Sequence, residues 1–276
     1  MAIYGLPDQD VVRISGPDAR KLLNDTLTSR FDDGLKGTGR WFALLSPQGK
    51  VQVEGLVTEA GDAFWFTLPA ELTADFFKRM KLYRLRAKVE IEPQPELGVF
   101  WSPEAEGSGE ARLAFRDERA GGLGMRLIQP RDAAATASDA AYHTARIAAG
   151  VPAFSADFGS NDVFPHDIGM DFLGGLDFKK GCYVGQEVVS RMQHRGTARR
   201  RPVIVTGVPV GAAAGAPLMV GEREAGTVGR GVEGRAVAIV RLDRVTGAVP
   251  AVGGLPVELA LPAWATYRFG EAPAEA

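Results

Sequence analysis

The chain has one cysteine, Cys182, and three histidines, His143, His166 and His194, in 276 residues. A single thiol excludes a disulfide framework and fits a reducing compartment. These four residues are scattered, with no pair at i, i+4 and no Cys-x-x-Cys, so a closed metal site fails on ligand count. An iron–sulfur cluster wants about four thiolates, so this chain cannot hold one alone, and no stably bound metal is expected. A surplus of one charge is also missing: the formal net charge of −2 gives no overall basic signal for nucleic acid or an anionic membrane. The uncharged run from Pro202 to Gly221 is twenty residues long but carries three prolines and four glycines. That composition suits strands and turns, not a membrane helix. Gly229-x-Gly231-x-x-Gly234 has the bare dinucleotide spacing but no helix to follow it, and there is no Walker loop. The first residues, Met1-Ala-Ile-Tyr-Gly-Leu-Pro7, lack the basic and apolar regions of a signal peptide, and a cytoplasmic location is the expectation.

What is present is enough chain for more than one core, with 45% apolar residues over 276 positions. Val11–Ile14 predicts a strand, and Ser15-Gly-Pro-Asp18 predicts a cap for a helix running to about Thr28. Trp41–Leu45 and Val51–Val57 predict strands around the Pro47-Gln48-Gly49 turn, with Ala63–Leu68 a third. A helix over Ala70–Tyr83 and a strand through Ala87, Val89 and Ile91 follow. Short strands with charged turns fill 98–127. Arg131–Ser138 leads into a helix that ends at Gly150 and Pro152. Residues 151–176 are rich in Gly, Asp, Asn, Phe and Pro, a length that is usually functional or packed tightly on the body. After Arg201, short Val-rich runs cut by Gly and Pro predict a small antiparallel barrel. The mixture of hairpins and helices predicts an α+β fold. The expected organisation is an α+β region of two interwoven subdomains over 1–196, a barrel over 197–270, and a frayed tail over 271–276.

The lone cysteine sits in Lys180-Gly-Cys-Tyr-Val-Gly-Gln-Glu187, followed by Arg191 and His194-Arg195-Gly196. Val184, Val188 and Met192 recur at spacing four, and Glu187 and Arg191 are placed to pair. Cys182 is therefore expected at or just before a helix N-terminus, beside Lys179 and Lys180, where dipole and ammonium charge favour the thiolate. The alternative is a small buried apolar residue, and local physics leaves the two open. This octapeptide resembles the signature of the YgfZ family of folate-binding proteins, which act in iron–sulfur cluster assembly and repair and are related to the glycine-cleavage T-protein. The resemblance continues in Val11–Gly16, in the hairpin from Phe42 to Val51, and in Tyr142-His-Thr-Ala-Arg-Ile-Ala-Ala-Gly-Val-Pro152. It is also present in Pro165–Phe178 and in the barrel from Gly215 to Pro262, and is weakest between Gly98 and Ala137.

The resemblance implies a T-protein-like, three-part arrangement around a central folate channel, closed by the C-terminal antiparallel β-barrel. It implies tetrahydrofolate, or a one-carbon derivative, as ligand, and iron–sulfur client or assembly proteins as partners. An indirect effect on tRNA-modifying enzymes follows from the same source. Cys182 is the expected reactive group, with Lys180 as its activator. Tyr142 and Arg146, one helical turn apart, are expected to hold folate, an aromatic for the flat pterin and a guanidinium for the glutamyl tail. Tyr183, Gln186, Glu187 and Arg191 complete the expected binding set.

Two alternatives stand beside this reading. The T-protein has a pair of aspartates shortly after the hairpin glycine, where this chain has Gly49-Lys-Val-Gln52-Val53-Glu54. Gln52 cannot be a general base, and Glu54 is two positions displaced, so a folate-dependent aminomethyltransferase or other one-carbon transferase is the second reading. The third is an RNA-associated module, suggested by Arg195 and Arg199-Arg200-Arg201. The neutral overall charge and the lack of an aromatic-basic stripe speak against direct nucleic-acid binding.

Overall fold

The computed structural model describes residues 2–32, 34–104, 111–136, 138–196 and 198–271. The first half of the chain runs β1 (Tyr4–Gly5), β2 (Gln9–Ser15), α1 (Ala19–Thr26), β3 (Thr38–Leu45), β4 (Val51–Ala60) and β5 (Ala63–Pro69). It continues with α2 (Ala70–Arg84), β6 (Glu90–Pro93), β7 (Leu97–Ser102), β8 (Leu113–Asp117) and β9 (Met125–Pro130). These nine strands form one sheet in the order β1-β7-β9-β8-β3-β4-β5-β2-β6. Among the described residues, the strand pairing that joins its two halves is the parallel one of Thr38 and Gly39 with Arg116 and Asp117. Gly39 has to be glycine there, because a Cβ would lie 2.6 Å from the Phe115 ring.

The central strands are apolar almost without interruption because both of their faces are covered. Along β3, Trp41, Ala43 and Leu45 enter one core while Phe42 and Leu44 enter the other. β5 repeats the two-residue alternation, with Ala63 and Trp65 on the first side and Phe64, Phe66 and Leu68 on the second. Leu22 and Leu23 of α1 and Leu72, Phe76 and Met80 of α2 cover the second side. The strand expected to begin at Ala87 begins at Glu90, where β6 pairs with the edge of β2.

The first core is covered from further along the chain. It receives Tyr142 of α3 (Ala140–Ala148) and Val189 of α4 (Gln186–Arg195). Between these helices the only regular element is a 3₁₀ turn, Pro165–Ile168. The long segment is nonetheless packed, since Val151, Phe158, Val163, Ile168, Met170, Leu173 and Leu176 all enter that core.

The C-terminal part forms a separate seven-stranded antiparallel sheet: β10 (Arg200–Thr206), β11 (Ala216–Val220), β12 (Arg223–Val228), β13 (Arg235–Arg241), β14 (Pro250–Val252), β15 (Leu255–Pro256) and β16 (Glu258–Ala260). Their order, β15-β14-β11-β12-β13-β10-β16, places consecutive strands at the two edges, with only Val257 between them. The sheet therefore curls into the nearly closed barrel that the Val-rich runs predict. Trp264 ties it to the first part by donating its ring N–H to Ala149 O (2.8 Å). The α+β architecture is as expected. Of the expected tail, residues 272–276 lie outside the described residues.

Candidate functional site

A central cavity of about 540 Å³ is lined by β4, by the start of the chain, by α3, by residues 153–156 and by the barrel residue Arg230. Its volume falls in the range of small-molecule sites. The polar groups come from unequal sources. Glu54 of β4 is 4% exposed, and accepts from Trp41 Nε1 (2.6 Å, at Oε2) and from Phe154 N (3.1 Å, at Oε1). Arg119 and Arg126, from the weakly matching stretch, are 5% and 4% exposed and share one carboxylate, Asp117. Arg119 grips it with two bonds, Nε to Oδ1 (2.9 Å) and Nη2 to Oδ2 (2.7 Å), while Arg126 Nη2 reaches Oδ2 at 3.4 Å. Burial alone would raise the Asp117 pKa; the charges of Arg119 and Arg126 outweigh it and hold the carboxyl below its ordinary value.

Tyr142 does line the cavity, as expected, but it is not a free stacking surface. Arg126 Cζ lies 4.2 Å from its ring centroid, Trp101 and His143 crowd the ring, and Arg119 Nη2 donates to its hydroxyl (3.2 Å). Burial opposes ionisation of this phenol, but Arg126 and Arg119 outweigh it and lower its pKa.

Arg146 corrects the expectation outright. It shares the helix with Tyr142 but is wholly buried, with Nη1 donating to Asp157 Oδ2 (2.6 Å) and Nε to His143 Nδ1 (2.7 Å). Its guanidinium locks α3 onto the loop that follows and cannot receive a glutamyl tail. Nδ1 of His143 accepts that bond, and its Nε2 lies 3.1 Å from Asp139 Oδ2 and 3.0 Å from Arg230 Nη1. Burial, with Arg146 and Arg230 close by, lowers the His143 pKa to about 3 and keeps the ring neutral.

Cys182 occupies a different place. It is exposed, in a second and more open hollow lined also by Pro47, Tyr183, Gln186, Glu187 and Arg191. The buried apolar alternative is thereby excluded. Tyr183, Gln186, Glu187 and Arg191 do not line the central cavity, so their expected contact with a ligand there is corrected. Glu187 and Arg191 form the exposed i, i+4 pair that the spacing predicts (2.5 Å).

Lys180 corrects a second expectation. Its ammonium points away into a cage of three backbone carbonyls, donating to Asn24 O (2.7 Å), Ser29 O (2.9 Å) and Leu27 O. It caps the C-terminal end of α1, and burial lowers its pKa to about 8. Nor does Cys182 sit at the helix start: α4 begins at Gln186, and its N-cap is Gly185, with φ +78°. Gly185 is required because a Cβ would stand 2.5 Å from Ser46 O. Asp177 Oδ1 receives the backbone N–H groups of Lys179 (2.7 Å) and Lys180 (2.9 Å). The thiol thus rides on a loop anchored on both sides, a holder rather than an activator.

Residues 199–267 match the model of the CAF17 C-terminal beta-barrel domain. The protein named Iron-sulfur cluster assembly factor IBA57, mitochondrial, from Homo sapiens is 30% identical over 230 residues, covering 72% of this chain and 65% of that protein. The Chaetomium globosum homolog of the same name is 28% identical over 263 residues, covering 81% of this chain and 60% of its own length. The homologues are iron–sulfur cluster assembly factors. The chain spans about half to two thirds of the length of the curated relatives it matches. In structure it is similar to the glycine cleavage system aminomethyltransferase T from Bartonella henselae, with a TM-score of 0.76 over 97% of this chain and 87% of that one, at 17% identity. That likeness carries the fold: a T-protein-like architecture with the expected C-terminal barrel. The cytoplasmic expectation is overturned, because these relatives are named as mitochondrial proteins.

Half of the basic run suggested for RNA is spent within the fold. Arg200 pairs with Asp167 (2.8 Å) and Arg201 with Asp171 (2.8 Å). Among the described residues no helix is long and apolar enough to cross a membrane, and no group of three or more His, Cys, Asp or Glu could hold a metal ion.

Proposed function

We propose that this chain is an iron–sulfur cluster assembly or repair factor of the YgfZ type, in which Cys182 supplies one thiolate to a cluster shared with a partner protein. The exposure of the only thiol, on a loop pinned at Asp177, Lys180 and Gly185, carries this reading. A cluster wants about four such ligands, so the remainder come from the client or assembly partner. The cluster is cargo. The names of the curated relatives support the same class of work, and any influence on tRNA-modifying enzymes is an indirect consequence of cluster supply.

The central cavity is read as a tetrahydrofolate site. The residues fit such a ligand: the volume suffices, Glu54 offers a carboxylate, and the two arginines hold more N–H groups than Asp117 and Tyr142 use. A bound tetrahydrofolate supplies a one-carbon carrier; Glu54, Arg119 and Arg126 orient it, and Tyr142 holds the arginines in place. The aminomethyltransferase alternative depends on Glu54, whose carboxylate already accepts from Trp41 and Phe154.

Anaerobic reconstitution with ferrous iron, sulfide and glutathione tests the cluster reading, glutathione standing in for the partner's thiols. Wild type acquires the visible thiolate-to-iron absorption and Cys182→Ala does not. Equal absorption in both proteins removes Cys182 from the site.

A further inference from the structure

We propose that the C-terminal end of α2 is a docking surface for an anionic lipid bilayer, with Leu82 and Leu85 entering the headgroup layer and the lysines and arginines around them meeting its phosphates. Between Phe76 and Val89 the chain carries six cations and no acid, a local excess in a protein whose formal net charge is −2. Among the described residues only one of the six, Arg79, pairs with a carboxylate, that of Asp75 (3.1 Å). Lys81 lies over the Phe77 ring and Arg84 Nη1 donates to Val89 O (3.2 Å), contacts that leave both charges in place. Lys78, Arg86 and Lys88 are exposed, and Asp18 engages only the backbone N–H of Lys88.

The two leucines have no role inside the fold. α2 buries Leu72, Phe76 and Met80 at spacing four. Leu82 comes two residues after Met80, on the opposite face, and is 69% exposed. Leu85 ends the helix at φ +46° and ψ −109° and is 83% exposed. Ala87 N donates to Arg84 O (2.8 Å) across it. Leu85 therefore holds the first central position of a type II′ turn, which glycine ordinarily takes. A leucine there strains the backbone and gains no packing in return. Transfer of both side chains from water to the acyl boundary of a bilayer supplies that missing gain.

The charge chemistry selects this occupant over other acidic ones. Protein interfaces are poor in lysine, yet three of these six cations are lysines. Single-stranded nucleic acid is held by exposed aromatic rings, whereas Phe77 and Tyr83 are half-buried and Lys81 covers Phe77. Aliphatic tips ringed by cations combine the apolar and electrostatic signals that together hold a protein on a bilayer without a spanning helix.

Co-sedimentation of the full chain with vesicles tests this, using equal parts of phosphatidylcholine and phosphatidylglycerol against phosphatidylcholine alone. The expected result is saturable binding to the anionic vesicles that weakens as salt is raised, and at least about tenfold weaker binding to the neutral ones. Lys78→Gln with Arg86→Gln lowers the affinity roughly tenfold to thirtyfold, about fivefold per cation. Leu85→Gly lowers it about tenfold without lowering the thermal unfolding midpoint, because glycine suits the turn; a residue that merely supported the fold would show the reverse. Should Leu85→Gly unfold early, Leu82→Ser, at an ordinary helical position, makes the same comparison. No binding to anionic vesicles at millimolar lipid, or binding that ignores these variants, overturns the proposal. Binding to polyglutamate or to a single-stranded RNA oligomer that needs Lys78 and Arg86 but not Leu85, with vesicles left unbound, overturns it in favour of an acidic protein or a nucleic acid.

Discussion

Asp117→Asn removes the one carboxylate that touches Arg119 or Arg126 among the described residues. The Asp117 side chain is fully buried and receives four N–H bonds, from Arg119 N (3.3 Å), Arg119 Nε (2.9 Å), Arg119 Nη2 (2.7 Å) and Arg126 Nη2 (3.4 Å). Asparagine has nearly the same shape, so no cavity forms, and the loss is electrostatic. Removing one partner of a buried ion pair costs about 3–5 kcal/mol because the other charge stays behind. Here two guanidiniums stay behind, so the upper part of that range applies. That is a large share of the ~5–15 kcal/mol that holds a domain together. Urea unfolding followed by tryptophan fluorescence reports it well, since Trp41 and Trp101 lie in the surrounding core. Glu187→Gln is the control: it breaks an exposed pair worth ~0.3–0.5 kcal/mol. Asp117→Asn with Arg126→Met recovers part of the loss if the mechanism is uncompensated charge. The folded pKa of Asp117 is depressed, so its contribution is complete above the unfolded value of 3.8 and is lost as pH falls through the folded value. The difference between wild type and Asp117→Asn is therefore flat near neutrality and shrinks below pH 3.8. A loss under about 1 kcal/mol, comparable to an ordinary hydrogen bond, refutes the reasoning.

Two further perturbations have outcomes set by local geometry. A Cβ at Gly229 would stand 1.8 Å from Asp157 Oδ1, so Gly229→Ala presses on the Arg146–Asp157 pair and costs about 1–3 kcal/mol; an unchanged urea midpoint contradicts the packing described. Lys180 has its pKa lowered by burial from 10.5 to about 8, so the unfolded chain binds more protons between those values and stability rises with pH there. Lys180→Met abolishes that rise, and a wild-type-minus-variant difference that stays flat from about pH 8 to 10.5 contradicts the burial of its ammonium.

Much of the fold is legible in the sequence because the signals are local. The two-residue alternation of Trp41–Leu45 and the glycine of the Ser46–Lys50 turn specify the β3–β4 hairpin without help from distant residues. The barrel announces itself by Val-rich runs between Gly and Pro. The site is less legible, since its chemistry depends on where side chains turn after folding. Tyr142 and Arg146 do share a helix, but Asp157, eleven residues beyond Arg146, decides that the guanidinium is buried. Lys180 lies next to the thiol in sequence, while its acceptors lie more than 150 positions away. The sequence does not single out Arg119 and Arg126, because 98–127 looks like strands with charged turns. The one available signal was that Asp117, Arg119 and Arg126 cluster around the turn joining β8 and β9.

The central claim is that Cys182 serves cluster delivery and is not needed to hold the protein together. The direct measurement is the activity of cluster-dependent enzymes in cells whose own copy of this factor is replaced by Cys182→Ala, with its level and thermal unfolding checked in parallel. The account predicts an unfolding transition like that of wild type, since Cys182 is exposed, together with a clear loss of cluster-enzyme activity. Full activity with Cys182→Ala present at normal level contradicts it.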